Sequence, residues 1–102
     1  PHKNLRMTKA EIVSNISDKL GVEKNDVQAI VNHFMKEVKG AQESGENVYL
    51  RGFGSFVIKT RKAKKGRNIS KNVTIDIPAH NIPSFKPAKD FLEQVKTNVA
   101  VK

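Results

Sequence analysis

Apolar positions from residue 12 to residue 20 follow a helical period. They recur at spacings of one, three and four residues, at Ile12, Val13, Ile16 and Leu20. Thr8 and Glu11 match the T-x-x-E capping box that begins many helices. Gly21 can supply the left-handed residue that ends such a helix. The sequence therefore predicts a first helix that begins after Thr8 and ends at Gly21.

A longer helical stripe follows, and it predicts a second helix from about Lys24 to Glu43. Its apolar residues fall on one broad face: Val27, Ile30, Val31, Phe34, Met35, Val38 and Ala41. The stripe is wider than one small sheet can cover. We therefore expect a second chain to complete the core.

After residue 46 the apolar period changes to two, which is typical of strands. Two strands are predicted, over Asn47–Arg51 and Ser55–Arg61. The tight connection Gly52-Phe53-Gly54 joins them, and its glycines can take positive φ. Val48 and Leu50 share one face of the first strand, which predicts a sheet with one buried side.

The remainder of the chain predicts a return strand, a connector and a third helix. The return strand, VTIDI at 73–77, ends at Pro78, which cannot donate to a sheet. Residues 79–86 are expected to be a connector, and the third helix to begin near Pro87. The resulting order, α-α-β-β-β-α, predicts an α+β fold in a single domain over residues 7–102. Residues 1–6 are expected to be an N-terminal extension or a remnant of an expression tag.

Charge is unevenly distributed along the chain, whose net charge is +9. Residues 47–75 carry eight basic and no acidic side chains, whereas residues 1–46 carry seven of each. A balanced body with one basic segment indicates a localised site for a polyanion. The absence of Cys excludes disulfides and thiolate metal sites, and no apolar run is long enough to span a membrane. We expect a soluble cytoplasmic protein.

The most basic stretch, KTRKAKKGRNISKN at 59–72, has seven basic residues among fourteen. It lies between the apolar runs SFVI and VTIDI, which favours a β-hairpin formed by those two runs. Nothing in its middle can be buried. The pattern predicts a mobile arm over about residues 59–75, without an apolar face, that needs a polyanion to order it.

Ile69 is an apolar residue at the apparent tip of this arm. One interpretation is a wedge that enters between base pairs, as in minor-groove architectural proteins. The other is an isolated exposed aliphatic side chain, which is common on protein surfaces. The residues alone leave both open.

Catalytic constellations are absent from the sequence. His2, His33 and His80 are scattered, and none has a carboxylate at a spacing that indicates metal binding or general-base catalysis. His33 is expected to be a structural residue, partly buried or at an interface. We predict no enzyme activity, cofactor, metal or small-molecule substrate.

Four segments resemble the bacterial histone-like HU/IHF family. They are GFGSF at 52–56, KKGRN at 64–68, IPA at 77–79 and IPSFKPAK at 82–89. The resemblance extends from Met7 to about Lys96, and its last two segments look more like HU than IHF. It implies an intertwined dimer whose two arms embrace the DNA minor groove and bend the duplex. HU does so with little sequence preference, whereas IHF prefers particular sites.

By position, the resemblance implies that four residues of the arm touch the DNA backbone or groove: Arg61, Lys64, Arg67 and Asn68. It also implies that three residues of the body lie near phosphates: Lys9, Lys86 and Lys89. Phe53 and Phe85 match aromatic positions of the dimer core. The full predicted DNA-binding set is Lys9, Arg51, Lys59, Arg61, Lys62, Lys64, Lys65, Arg67, Asn68, Ile69, Lys71, Lys86 and Lys89. The sequence departs from the family at Ile69, usually Pro, and at Asn72, usually Gly.

The function predicted from these residues is architectural DNA binding in the nucleoid, by a homodimer that bends duplex DNA through the minor groove with low sequence specificity. A heterodimer with a related chain is the alternative assembly. The alternative functions are a site-preferring IHF-like subunit, an RNA-binding protein, and a structural dimer whose arm binds acidic proteins or lipid headgroups.

Overall fold

A computed structural model describes residues 6–68 and 73–101, which divide between two compact units, one before and one after the boundary between residues 39 and 40. The first unit begins with α1, Lys9–Leu20. The Thr8 hydroxyl accepts a hydrogen bond from the Glu11 backbone N–H at 3.3 Å, and it donates to the Glu11 carboxylate at 3.3 Å. Gly21 ends α1 in the left-handed region, at φ 66°. Both predicted boundaries of this helix are confirmed.

The second helix, α2, spans Lys24–Glu43, as predicted. Val13 of α1 and Val27 of α2 are buried, at 5% and 3% exposure. Other members of the predicted apolar stripe remain open, since Ile30 is 66% and Phe34 46% exposed. One chain alone therefore leaves three of the seven stripe residues exposed, and buries only Val27.

The second unit contains five strands and a helix in its described part. The strands are β1 Val48–Leu50, β2 Gly54–Arg61, β3 Lys64–Asn68, β4 Val73–Ile77 and β5 His80–Pro87, and the helix is α3 Lys89–Asn98. β1, β2 and β5 form an antiparallel sheet in the order β1-β2-β5, and β3 pairs with β4 in a second antiparallel sheet. The α+β class is confirmed, with more strands than the sequence indicated.

Two predictions about this region are wrong. Residues 79–86 are not a connector, because β5 occupies His80–Pro87 and pairs with the whole of β2. VTIDI does not pair with SFVI, because β4 pairs with Lys64–Asn68 instead. Pro83 and Pro87 obscured β5 in the sequence. A proline is tolerated on an edge strand, and β5 is an edge of its sheet.

The third helix starts later than predicted. Pro87 is the last residue of β5, Ala88 is the N-cap of α3 in an extended conformation, and Lys89 is the first helical residue. The Ala88 N–H donates to the Phe53 carbonyl at 2.9 Å, which fixes the start of α3 to the β1–β2 connection.

An aromatic cluster holds the second unit together. The Phe53 ring centroid lies 5.1 Å from that of Phe85 and 5.8 Å from that of Phe91, and Phe56 lies 5.0 Å from Phe85. Such separations are favourable for aromatic pairs. The cluster joins β2, β5, α3 and the β1–β2 connection. The predicted aromatic core positions Phe53 and Phe85 are thus packed together, although Phe53 remains 46% exposed.

Within the described residues, no helix combines the length and apolar character needed to cross a membrane.

Candidate nucleic-acid interface

The register of β2 and β5 separates apolar from cationic residues on the three-stranded sheet. Side chains alternate between the two faces of a strand, and directly opposed residues share a face. Phe56 lies opposite Phe85, and Ile58 opposite Pro83, on the face of the aromatic cluster. The other face carries Ser55 opposite Lys86, Lys59 opposite Ile82, and Arg61 opposite His80. We call this second surface the cationic face.

Three predicted DNA-binding residues, Lys59, Arg61 and Lys86, are brought together on the cationic face. No carboxylate occupies the register positions of β1, β2 or β5 on this face. The structure thus places cations from two strands on the surface that the aromatic core leaves unused.

Arg51 adds a further positive charge at one end of the cationic face. It lines a hollow of about 230 Å³ together with Tyr49, Ser55 and Lys86. Tyr49 is paired with Ser55 across β1 and β2, and it is 71% exposed. Its hydroxyl accepts a hydrogen bond from the Asn47 side-chain amide at 3.2 Å. A guanidinium, an ammonium and two hydroxyls at one place can bind a phosphate group.

Sequence reasoning missed Tyr49, Ser55, Ser84 and His80 as residues of this face. The signal that would have found them is the strand pairing itself. Once β5 is recognised as a strand, its register with β2 places Ser84 opposite Val57 and His80 opposite Arg61.

The outer sheet, β3 with β4, carries the basic arm. Lys65 lies opposite Asp76, and Lys64 lies opposite Ile77, so these two pairs fall on different faces. Ile75 shares the face of Ile77 and is 45% exposed. The prediction that the arm has no apolar face is therefore wrong. Alternation within VTIDI gives the arm an apolar strip.

Gly66 provides room for this strip. A Cβ atom at Gly66 would lie 2.8 Å from Cδ1 of Ile77 and 3.5 Å from Cγ1 of Ile75. The isoleucine side chains therefore lie over the glycine backbone. Arg67 and Asn68 follow in β3, at register positions opposite Thr74 and Val73.

Lys62-Ala63 separates β2 from β3, and Pro78-Ala79 separates β4 from β5. The two sheets meet at these two short breaks. Here Arg61, Lys62, Lys64 and His80 line a hollow of about 380 Å³. His80 Nδ1 lies 3.0 Å from the Pro78 carbonyl oxygen. This hollow, which we call the junction hollow, contains three of the predicted arm residues.

Other predicted residues lie apart from these surfaces. Lys9 belongs to the first unit, where its Nζ donates to Asn32 Oδ1 at 2.8 Å. Lys89 is the exposed first residue of α3. Ile69, Lys71 and Asn72 lie outside the described residues, so the structure does not test the wedge.

His33 is exposed in the single chain, so it is not partly buried there, and its expected position at an interface stays a prediction. It lines a hollow on α2 with Asn32, Met35, Lys36 and Lys39. Residues 6–68 and 73–101 contain no group of three or more His, Asp or Glu side chains arranged to hold a metal ion.

A family model described as "Bacterial DNA-binding protein" matches residues 7–96. The chain belongs to this family. The resemblance inferred from GFGSF, KKGRN and IPSFKPAK is thereby confirmed.

Relatives within the family carry both HU and IHF names. The chain is 40% identical over 90 residues to the SPbeta prophage-derived DNA-binding protein HU 2 of Bacillus subtilis, covering 88% of this chain and 98% of the relative. It is 36% identical over 97 residues to the integration host factor subunit alpha of Alteromonas mediterranea, covering 95% and 98%.

A solved Anabaena HU–DNA cocrystal structure is similar to this fold. It superposes with a TM-score of 0.81 at 35% identity, covering 92% of this chain and 100% of that one. The structure of HU from Thermotoga maritima superposes with a TM-score of 0.61 at 28% identity, covering 87% and 98%.

Proposed function

We propose that this chain is an architectural DNA-binding protein, which binds and bends duplex DNA through the minor groove with low sequence specificity. The observation that carries the proposal is the segregation of Lys59, Arg61 and Lys86 onto the sheet face opposite the aromatic cluster. Family membership supports it, as does similarity to an HU that was crystallised with DNA.

The cationic face acts as the platform on which the duplex lies. Regularly spaced phosphates require cations that are fixed relative to one another, and a paired sheet fixes them. Lys59 and Arg61 follow at two-residue intervals on β2, about 6 to 7 Å apart along the strand. Such contacts hold the phosphate backbone without reading bases, so binding is insensitive to sequence.

The arm supplies the second part of the mechanism. Arg67 and Lys71 carry positive charge along the sequence of the arm, and the Asn68 amide between them can donate to minor-groove acceptors. The arm enters the minor groove, and Ile69 is proposed to wedge between base pairs. Unstacking costs a few kcal/mol per step, and the contacts that a bent duplex permits offset it.

A homodimer is the proposed binding unit. Apolar side chains in both units remain open in one chain, among them Ile30 at 66% and Leu92 at 52% exposure. Only Val13 and Val27 are buried hydrophobic residues in the described part of the chain. A domain of this length ordinarily buries a larger core. A second copy that covers these residues places two cationic faces on one particle.

The proposed location is the nucleoid, since a basic protein of this kind is held on chromosomal DNA by its charge. Membership of a DNA-binding family supports a role in binding rather than catalysis.

The RNA-binding alternative is weaker, because the described part of the arm, Lys59–Asn68 and Val73–Ile77, has no aromatic side chain. Proteins that bind single-stranded RNA usually stack bases on aromatic residues. A competition experiment tests the choice. Protein bound to a labelled duplex is challenged with unlabelled duplexes of unrelated sequence, single-stranded DNA and RNA hairpins.

The proposal predicts that the unrelated duplexes compete about equally, and better than single strands or RNA. Preferential displacement by RNA would contradict it. One duplex sequence competing far better than the others would favour the site-preferring IHF-like alternative.

A further inference from the structure

We propose that His80 completes a phosphodiester subsite in the junction hollow, and that duplex binding there is accompanied by uptake of a proton on its ring. This inference rests on the proposed function and deepens it. Beside the permanent cations of the hollow, the His80 ring would become charged when the duplex binds.

The junction hollow gathers side chains from both sheets. Arg61 and His80 are the last opposed pair of β2 and β5, and Lys64 begins β3 beyond the interruption. Together with Lys62 they surround a hollow of about 380 Å³. All four residues are exposed, so a ligand can reach them. Side chains at the ends of both sheets can therefore contact the same ligand.

The contact with Pro78 fixes the tautomer of His80. A carbonyl oxygen can only accept, so Nδ1, 3.0 Å from the Pro78 oxygen, must carry the hydrogen. In the neutral ring Nε2 is then a hydrogen-bond acceptor and cannot bind a phosphate oxygen. A second proton on Nε2 turns it into a charged donor, which is the form that binds phosphate.

The charged groups around His80 are all basic. Arg61 and Lys62 approach from β2 and its end, and Lys64 from β3. The acidic residue of β4, Asp76, lies opposite Lys65 and does not line the hollow. Among the described residues, no carboxylate is therefore placed to stabilise the charged imidazolium there.

A phosphodiester supplies the missing negative charge. An opposite charge within a few ångströms favours the protonated ring. The diester itself keeps a single negative charge near neutral pH, so any proton taken up on binding belongs to the protein. Duplex binding at the junction hollow should therefore strengthen as the pH is lowered.

Calorimetric titration of the full chain with a duplex measures this uptake directly. The heat is recorded at about pH 6.5 in two buffers of different ionisation enthalpy, and the difference gives the number of protons bound. We expect net uptake by the wild type and a clear reduction in His80→Gln. The matched control His33→Gln, which changes an exposed histidine of the first unit, should retain the wild-type uptake.

A second variant tests the charge requirement. His80→Arg carries a permanent charge at the same position, and it should bind duplex DNA at about pH 8 as tightly as the wild type does at about pH 6. Its affinity should vary less with pH. Circular dichroism and thermal unfolding confirm that each variant is folded.

Equal proton uptake by the wild type and His80→Gln, with duplex binding intact, would overturn this inference and leave the proposed function standing. Failure of the wild type to bind duplex DNA at any pH in dilute salt would instead overturn the proposed function.

Discussion

Gly54 lies against Phe85 so closely that no larger residue fits. A Cβ atom at Gly54 would lie 2.5 Å from Cζ of Phe85 and 2.5 Å from the Lys86 carbonyl oxygen. The ring belongs to the aromatic cluster and the oxygen to paired backbone, so neither can move freely. We predict that Gly54→Ala lowers the free energy of unfolding by about 1 to 3 kcal/mol, as overpacked cores do.

Gly40→Ala is the matched control for this substitution. Gly40 lies within α2, and a Cβ atom there would meet nothing within 4 Å. Because glycine weakens a helix interior, alanine should raise stability by roughly 0.5 to 1 kcal/mol. Urea unfolding monitored by circular dichroism compares the two variants. If Gly54→Ala were as stable as the wild type, the Phe85 ring and the neighbouring backbone would be able to shift without a measurable loss of stability, which would contradict this prediction.

Lys86→Gln should weaken duplex binding without changing stability. Lys86 lies on the cationic face opposite Ser55, and losing one phosphate contact reduces the log–log slope of affinity against salt by roughly 0.9. Lys24→Gln, at the start of α2, removes the same charge elsewhere and should leave the slope unchanged. Fluorescence anisotropy at several salt concentrations measures both slopes. Identical losses in the two variants would mean that only net charge matters.

Ile30→Asp should convert the proposed homodimer into monomers. Ile30 is 66% exposed in one chain and lies on the apolar stripe of α2, where a partner would bury it. Burying an unpaired carboxylate in such an interface is strongly unfavourable. Sedimentation equilibrium measures the mass. Gln28→Asp adds the same charge to an exposed polar position of α2 and should remain dimeric; a dimeric Ile30→Asp would place the interface elsewhere.

Ile69→Ala should reduce DNA bending more than DNA affinity. The wedge acts on the stack of bases, whereas the cations hold the phosphates, so the two properties separate. Fluorescence transfer between dyes at the duplex ends reports the bend, and anisotropy reports the affinity. Val101→Ala, which shortens a fully exposed aliphatic side chain, is the control. An unchanged transfer efficiency for Ile69→Ala would eliminate the wedge.

Local signals in the sequence were sufficient for the first two helices. The Thr8 cap, the left-handed Gly21 and the bounds of α2 depend on neighbouring residues alone, and each was predicted correctly. These features need no knowledge of distant parts of the chain, because capping and helical periodicity act within a few residues.

Pairing between distant segments was not predictable in the same way. His80–Pro87 contains two prolines, and its identity as a strand comes from its partner β2, which lies far earlier in the chain. With β5 missed, the cationic face could not be assembled from Lys59 and Lys86. The alternation that forms the apolar strip of the arm was visible within VTIDI, but this segment was expected to pair with SFVI rather than with Lys64–Asn68.

The central claim is that two chains hold duplex DNA on cationic faces and bend it with their arms. A single titration tests it most directly: the purified protein is added to an intact duplex labelled at both ends, at several salt concentrations, and the end-to-end distance is recorded. We predict saturable binding by a dimer, a shortened distance at saturation, and an affinity that falls steeply with salt. A duplex that stays unbound in dilute salt, or that is bound without any shortening, would contradict the account.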